Sequence, residues 1–334
     1  MHIFSFLELS LTLDSEQFDK QLLRIFKMPK EEYQLYSENN MYVGDALISK
    51  GITIRFNDKR YKKKIQLTVN VERILGNDVL NDKHISKLVE RLEKSIDDYF
   101  HSEYGLNDFN LVKMGFGTDI DVHSRENVAA YLKVFKRIGK IKGFSPSSDS
   151  ELSDDICFRL VGNSNGIDVM ISDFESLVMN RARKTESKPN KLWTTEERTR
   201  GLLRTEIWLR AAKAVRFFSN GLVASEQIAD LLEKREKIFF TVFTKIIPPG
   251  DYYKKNEAIE IIMRGVKSGK KRRKMLRLLM LIPEKKSLLL AQKMMNYRRI
   301  DKVMEAFEEI NLSPVTISKR HEVKHLKNLY EFFL

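Results

Sequence analysis

Only one cysteine, Cys157, stands in the 334 residues, so the chain can close no internal disulfide and build no thiolate metal cage. A reducing, cytoplasmic setting fits that scarcity. No stretch approaches about 18 consecutive apolar residues, so no membrane-spanning helix is expected and no membrane is expected as a partner. The opening residues, MHIFSFLELSLTLDSEQ, lack a basic leader and carry Glu8; they read as a strand, not as a signal peptide. The six histidines include no His-x-His pair, and no Gly-rich phosphate loop is present. No internal repeat of fixed period is found. Disorder is excluded as well, because hydrophobic residues make up 42% and aromatics 10%, enough for a sizeable core and two domains.

What is abundant is positive charge, and it is unevenly placed. Residues 1–190 carry 28 Lys and Arg against 29 Asp and Glu, whereas residues 191–334 carry 31 against 17, a local net of +14. An excess confined to one part of a chain favours a polyanionic partner over a generally basic surface. It is densest in VKSGKKRRKMLR (266–277), where Lys267, Lys270, Lys271, Arg272, Arg273, Lys274 and Arg277 occur without a single acid. Self-repulsion of that kind is relieved by phosphates, with counterion release as the driving force.

Hydrophobic periodicity divides the chain into a mixed part and a helical part. Leu7, Leu9, Leu11 and Leu13 alternate with polar residues, as do Ile52, Ile54 and Phe56, and Ile65, Leu67, Val69 and Val71. Ile85, Leu88, Leu92 and Ile96 have helical spacing. A strand is expected over 111–122, a helix over 125–138, a hairpin over 156–161 and 167–172, a polar linker over 184–193, a capped short helix at Thr194–Glu197 and a strand over 202–210. Beyond residue 220 the expected helices are 225–246, 256–264, 270–281, 284–296 and 299–310, with Pro283 at a helix start. The last two, joined near Tyr297, have helix-turn-helix lengths, and Arg298 and Arg299 would open the second. The fold class is therefore α+β: an antiparallel-sheet domain over 1–220, followed by an all-helical basic domain over 221–334 with a helix-turn-helix-like unit.

Two strands carry candidate chemistry. On 111–122, Gly115, Gly117, Asp119 and Asp121 share one face. Neighbouring carboxylates are either solvated at a strand end or held by a hard cation such as Mg²⁺ or Mn²⁺, with the glycines permitting close approach. On 202–210, Arg204, Glu206, Trp208 and Arg210 share a face. Glu206 is either an ion-pair partner or a third metal ligand beside the phosphate-binding arginines Arg204 and Arg210.

The order of these segments resembles the replication initiators of rolling-circle plasmids and phages from Gram-positive bacteria. GDYYKKNEAIEII (250–262), INLSPVTISKRHEVKHL (310–326), TTEERTRGLLRTEIWL (194–209) and LVKMGFGTDIDV (111–122) carry the resemblance, which spans most of the chain. It implies recognition of a replication origin and strand nicking by a tyrosine beside a divalent metal, while a host helicase is the kind of partner expected of a scaffold derived from such an initiator. The pattern departs from the family in two places. Where the family has Tyr-Asp-Lys-Glu, this chain has Ser172-Asp173-Phe174-Glu175. Where it has Arg-hydrophobic-Asp, this chain has Lys113-Met114-Gly115. A serine alkoxide is far more basic than a phenolate with its pKa near 10, so Ser172 as the nucleophile would need an activator. The expectation is a DNA-binding protein of initiator type with weakened or lost nicking. The alternatives are an active metal-dependent nicking-closing enzyme using Ser172, Asp119, Asp121 and Glu206, and a protein-binding scaffold.

Overall fold

The computed structural model describes residues 3–27, 41–44, 47–59, 62–76, 82–147, 156–185 and 199–333. Most of the 184–193 linker and the Thr194–Glu197 cap lie outside the described residues.

Strand β1 (Phe4–Leu13) buries Leu7, Leu9, Leu11 and Leu13, the set that alternation places on one face. Asp14 then caps α1 (Ser15–Phe26), its carboxylate accepting from the Gln17 amide at 2.8 Å. Strands β2 (Met41–Gly44), β3 (Ile52–Lys59) and β4 (Lys62–Asn70) pair antiparallel in turn. β4 lies against β1 with Leu9 opposite Leu67 and Leu11 opposite Ile65, so the apolar faces coincide. Asn70 caps the short α2 (Val71–Ile74), and α3 (Asp82–Phe100) buries Ile85, Leu88, Leu92 and Ile96.

The same order of elements then recurs. β5 (Asn110–Asp121) leads through the Ser124 cap into α4 (Arg125–Ile138). Next come β6 (Phe144–Pro146), the hairpin β7 (Cys157–Gly162) and β8 (Ile167–Asp173), and α5 (Phe174–Thr185). Among the described residues, long strand, side-chain-capped helix, short strand, hairpin and helix thus occur twice. The repeat is invisible as a sequence period because the loops differ in length and the residues are unrelated. β9 (Leu202–Leu209), α6 (Ala212–Phe218), α7 (Ala224–Glu233) and α8 (Arg235–Ile246) follow. The remainder is β10 (Tyr252–Tyr253), α9 (Lys255–Gly265), α10 (Gly269–Lys285), α11 (Leu288–Met294), α12 (Asp301–Glu308) and β11 (His325–Leu326). The fold is α+β with a helical part. Among the described residues no helix is long and apolar enough to cross a membrane.

Contacts divide the chain into two units, and they do not follow a boundary at residue 220. One unit comprises His2–Gly117 and Trp208–Phe239; the other comprises Thr118–Ile207 and Phe240–Leu334. β5, β9 and α8 each supply residues to both. In the first unit the strand order is β2-β3-β4-β1-β5, and in the second β9-β8-β7-β6.

Three local expectations change. The helix expected over 225–246 breaks at Lys234, whose backbone leaves helical geometry between α7 and α8. Pro283 does not start a helix but lies in the last turns of α10, where only one intrahelical bond is forfeited. The next helix starts instead at Leu288, capped by the Ser287 hydroxyl, which accepts from the Leu290 amide at 3.3 Å. Gly115 does not open a path for a ligand: a Cβ there would lie 2.8 Å from the Trp208 indole, so the glycine makes room for that ring.

Candidate nucleic-acid interface

The second unit contains both places that the sequence singled out. The first is the corner where the end of β5 meets β9 and β8. Gly201, at φ 79°, lets the chain approach closely: a Cβ there would stand 3.0 Å from the His123 and Ser124 backbone. Its carbonyl accepts from the Val122 amide at 2.9 Å. β9 then buries both its faces, not one, so Arg204 and Glu206 are as enclosed as Leu203 and Thr205. Enclosure requires a partner for the charge, and Arg204 has one. Its Nε and Nη2 each donate to an oxygen of Asp119 at 2.7 Å, and its guanidinium lies 3.7 Å from the Phe174 ring centroid.

This arrangement does not assemble the expected metal set. Asp119 has both oxygens on Arg204. Asp121 is exposed and accepts from the His123 amide at 2.7 Å, at the turn where His123 takes a positive φ. Glu206 is buried in β9. Among the described residues no three His, Cys, Asp or Glu side chains are placed to hold an ion. Arg210 is exposed and belongs to the other unit.

Ser172, Asp173, Phe174 and Glu175 each have a structural use. Ser172 is fully buried, and its hydroxyl donates to the Arg204 carbonyl at 3.5 Å. Asp173 caps α5, accepting from the Ser176 amide and hydroxyl at 3.3 and 2.6 Å. Phe174 supports Arg204. Glu175 is buried and forms a two-pronged ion pair with Arg125 of α4, with Arg125 Nε donating at 2.7 Å. That hydrogen bond, with the charge of Arg125 and of Arg200, outweighs burial and holds the Glu175 carboxyl below the usual range. Its contribution to stability is therefore present above the unfolded glutamate value of about 4.3 and lost as pH falls through the lower folded value. Glu175→Gln should flatten the decline of the urea midpoint between pH 5 and pH 3; an unaltered decline would show that the pair contributes nothing.

The second place is the helical part. α10 packs its apolar side, Met275, Leu278, Leu279 and Ile282, against α4, α9, α11 and α12. The cations are left on the opposite side and at the N-terminus. Lys267, Lys270, Lys271, Arg273 and Arg277 are exposed; Arg272 and Lys274 are half-buried. α11 and α12 are joined by six residues, 295–300, and Arg298 and Arg299 are exposed in that link, just before α12. Arg299 shares a cleft of about 260 Å³ with Lys270, Lys271, Lys274, Tyr297 and Lys302. The Lys274 ammonium sits 3.2 Å from the Tyr297 ring centroid. Hydrogen bonding and charge from Lys274, together with the charges of Arg299 and Lys270, lower the Tyr297 phenol below its usual value. Lys302 escaped the sequence reading, since it looks like an ordinary lysine on a mixed-charge helix. Tyr297 marked only a link.

The N-terminus of α10 runs against helix electrostatics. α1, α4, α5, α7, α8, α9 and α12 each carry an acid in the first turn, where the macrodipole is positive. α10 has no acid in its first turn, only cations, with the Ser268 hydroxyl as its cap. The charge placement therefore costs stability. The two C-terminal segments that carried the family resemblance also meet in this unit. β10 pairs with β11, the Ser313 amide donates to the Asp251 carbonyl at 2.8 Å and the Ile317 amide to the Tyr253 carbonyl at 2.9 Å. No protein-family model matches this sequence, and no curated protein matches it.

Proposed function

We propose that this chain is a DNA-binding protein of the rolling-circle initiator type that recognises an origin, or a site derived from one, with nicking weakened or lost. The observation that carries the reading is the acid-free cationic start of α10, held on a packed scaffold in the place where it most disfavours the helix. A sequence that spends stability on seven cations is compensated when phosphates neutralise them. Phosphate contacts would supply affinity and a few side chains at base edges the specificity. The weakened nicking is supported by the corner around Ser172: the hydroxyl is enclosed, and the acid Asp119 is committed to Arg204. A cytoplasmic location and contact with a host helicase accompany the same reading.

A supercoiled plasmid carrying the gene's own flanking DNA tests both halves. Incubated with the protein in Mg²⁺ or Mn²⁺, it should form a retarded complex and remain supercoiled. Nicked circles carrying covalently bound protein would overturn the loss of nicking. An unretarded plasmid at low salt would overturn the DNA-binding reading itself.

A further inference from the structure

We propose that α9 and α10 form a helix-turn-helix that reads duplex DNA through the solvent face of α10, while the adjoining cleft of Lys271, Lys274, Tyr297, Arg299 and Lys302 clamps one backbone phosphate. The inference rests on the DNA-binding reading and assigns its two physical tasks to different residues.

The link between α9 and α10 is three residues, Val266, Lys267 and Ser268, with Ser268 serving as the cap. That is half the length of the α11–α12 link and matches the short turn of a helix-turn-helix. Both helices are anchored, α9 by Ala258 and Ile262 and α10 by its apolar side. Gly265, at the end of α9, lies close to Ile310; a Cβ there would stand 3.1 Å from that side chain. The turn is thereby held against the end of α12, so the second helix projects from a fixed base.

On α10 the exposed residues Lys270, Arg273, Arg277 and Met280 fall at intervals of three, four and three, which puts them on one face opposite the core. The stripe is about 15 Å long at about 1.5 Å per residue. A major groove about 12 Å wide admits a helix presenting such a stripe. Two of the four are arginines, whose planar fork matches the O6 and N7 acceptors of guanine; Met280 supplies an apolar end for a thymine methyl. A single-stranded partner would call instead for a row of exposed aromatic rings. In the helical part the cleft offers one, Tyr297, with Lys274 lying over it.

The cleft beside the stripe has a different character. It is enclosed on one side by α10 and on the other by the link and α12, and its rim carries Lys271, Lys274, Arg299 and Lys302, with Lys270 of the stripe bordering it, against Glu309, which Lys271 approaches at 3.4 Å. Tyr297 adds a phenolic hydroxyl that can donate to an anionic oxygen among those cations. Such a site grips a phosphate wherever it lies in the sequence and carries no base information.

The test uses the full-length protein and DNA duplexes of about 20 base pairs that the wild-type protein selects from a random pool. Arg273→Ala and Arg277→Ala should each lose about 10- to 100-fold on the selected duplex, lose far less on random duplex, and select altered sites. Lys302→Ala and Tyr297→Phe should weaken selected and random duplexes by the same factor, roughly 3- to 10-fold, with Lys302→Ala lowering the salt slope by about one. Arg273, Arg277 and Lys302 are exposed on their helices and Tyr297 is half-buried in the link before α12, so unchanged thermal midpoints are required of all four variants. Unaltered site preference in both arginine variants would overturn the proposal while leaving DNA binding in place. Equal or tighter binding to single strands or to RNA duplexes would overturn it too. Absence of binding to every pool by the wild-type protein would sink the underlying reading, and this proposal with it.

Discussion

Alanine at Lys271, Arg272, Arg273 and Lys274 together should reduce the slope of log affinity against log salt by up to about 3.6, because each phosphate neutralised contributes about 0.9. Between 50 and 200 mM salt that amounts to roughly 100-fold of lost salt sensitivity. The loss should be largest at low salt, where wild-type binding is strongest, and should shrink as salt rises. Folding should not suffer. The four residues are exposed or half-buried and outside the apolar side of α10. Alanine is the best helix former, and removing cations from a first turn relieves the opposition of the macrodipole. The variant is therefore expected to melt at the same temperature as the wild type or slightly higher. Titrations of a fluorescent duplex at several salt concentrations, with a melting curve beside them, separate the two effects. A wild-type slope in the quadruple variant would place the DNA contacts elsewhere in the molecule. A strongly lowered melting point would assign the run a structural use.

How much of this was legible in the residues depends on how local the cause is. β1 was legible because Leu7, Leu9, Leu11 and Leu13 follow a two-residue period, and one buried face enforces it. The 125–138 helix was legible as well, and α4 spans Arg125–Ile138. Both faces of β9 are buried, however, and alternation misleads there: Arg204 is enclosed because Asp119, 85 residues away, neutralises it. Nor does any period expose the repeated order of elements, since topology recurs there without the residues. The division between the units was missed for a related reason: β5 and β9 run through it without a change in composition. In the helical part the basic run was plain as charge. Which of its members share a cleft was not, because Tyr297, Arg299 and Lys302 come to Lys271 and Lys274 only through the packing of α12 on α10. The helix ends moved because proline was weighed as a starter, while the Ser287 cap five residues after Ile282 proved decisive.

The corner around Asp119 yields the larger stability effect. Arg204 is only 7% exposed and Asp119 28%, so removing the carboxylate strips an enclosed guanidinium of its two-pronged acceptor. Deleting one partner of a buried ion pair costs about 3–5 kcal/mol, and partial exposure of Asp119 puts Asp119→Ala toward the lower end of that range. Replacing both, as Asp119→Leu with Arg204→Met, should recover most of the loss, since neither charge then needs hydration or a partner. Urea unfolding of the two single variants and the double variant supplies the comparison. A cost below about 1 kcal/mol for Asp119→Ala would mean that the pair with Asp119 is not what holds Arg204 in place. The same series separates a structural from a metal-binding use of Asp119. If the carboxylate serves Arg204 alone, Mn²⁺ will leave the wild-type midpoint where it is. If it binds a cation, the ion will stabilise the wild type by mass action and leave Asp119→Asn unmoved. The salt-bridge geometry, with both carboxylate oxygens already accepting at 2.7 Å, favours the first outcome.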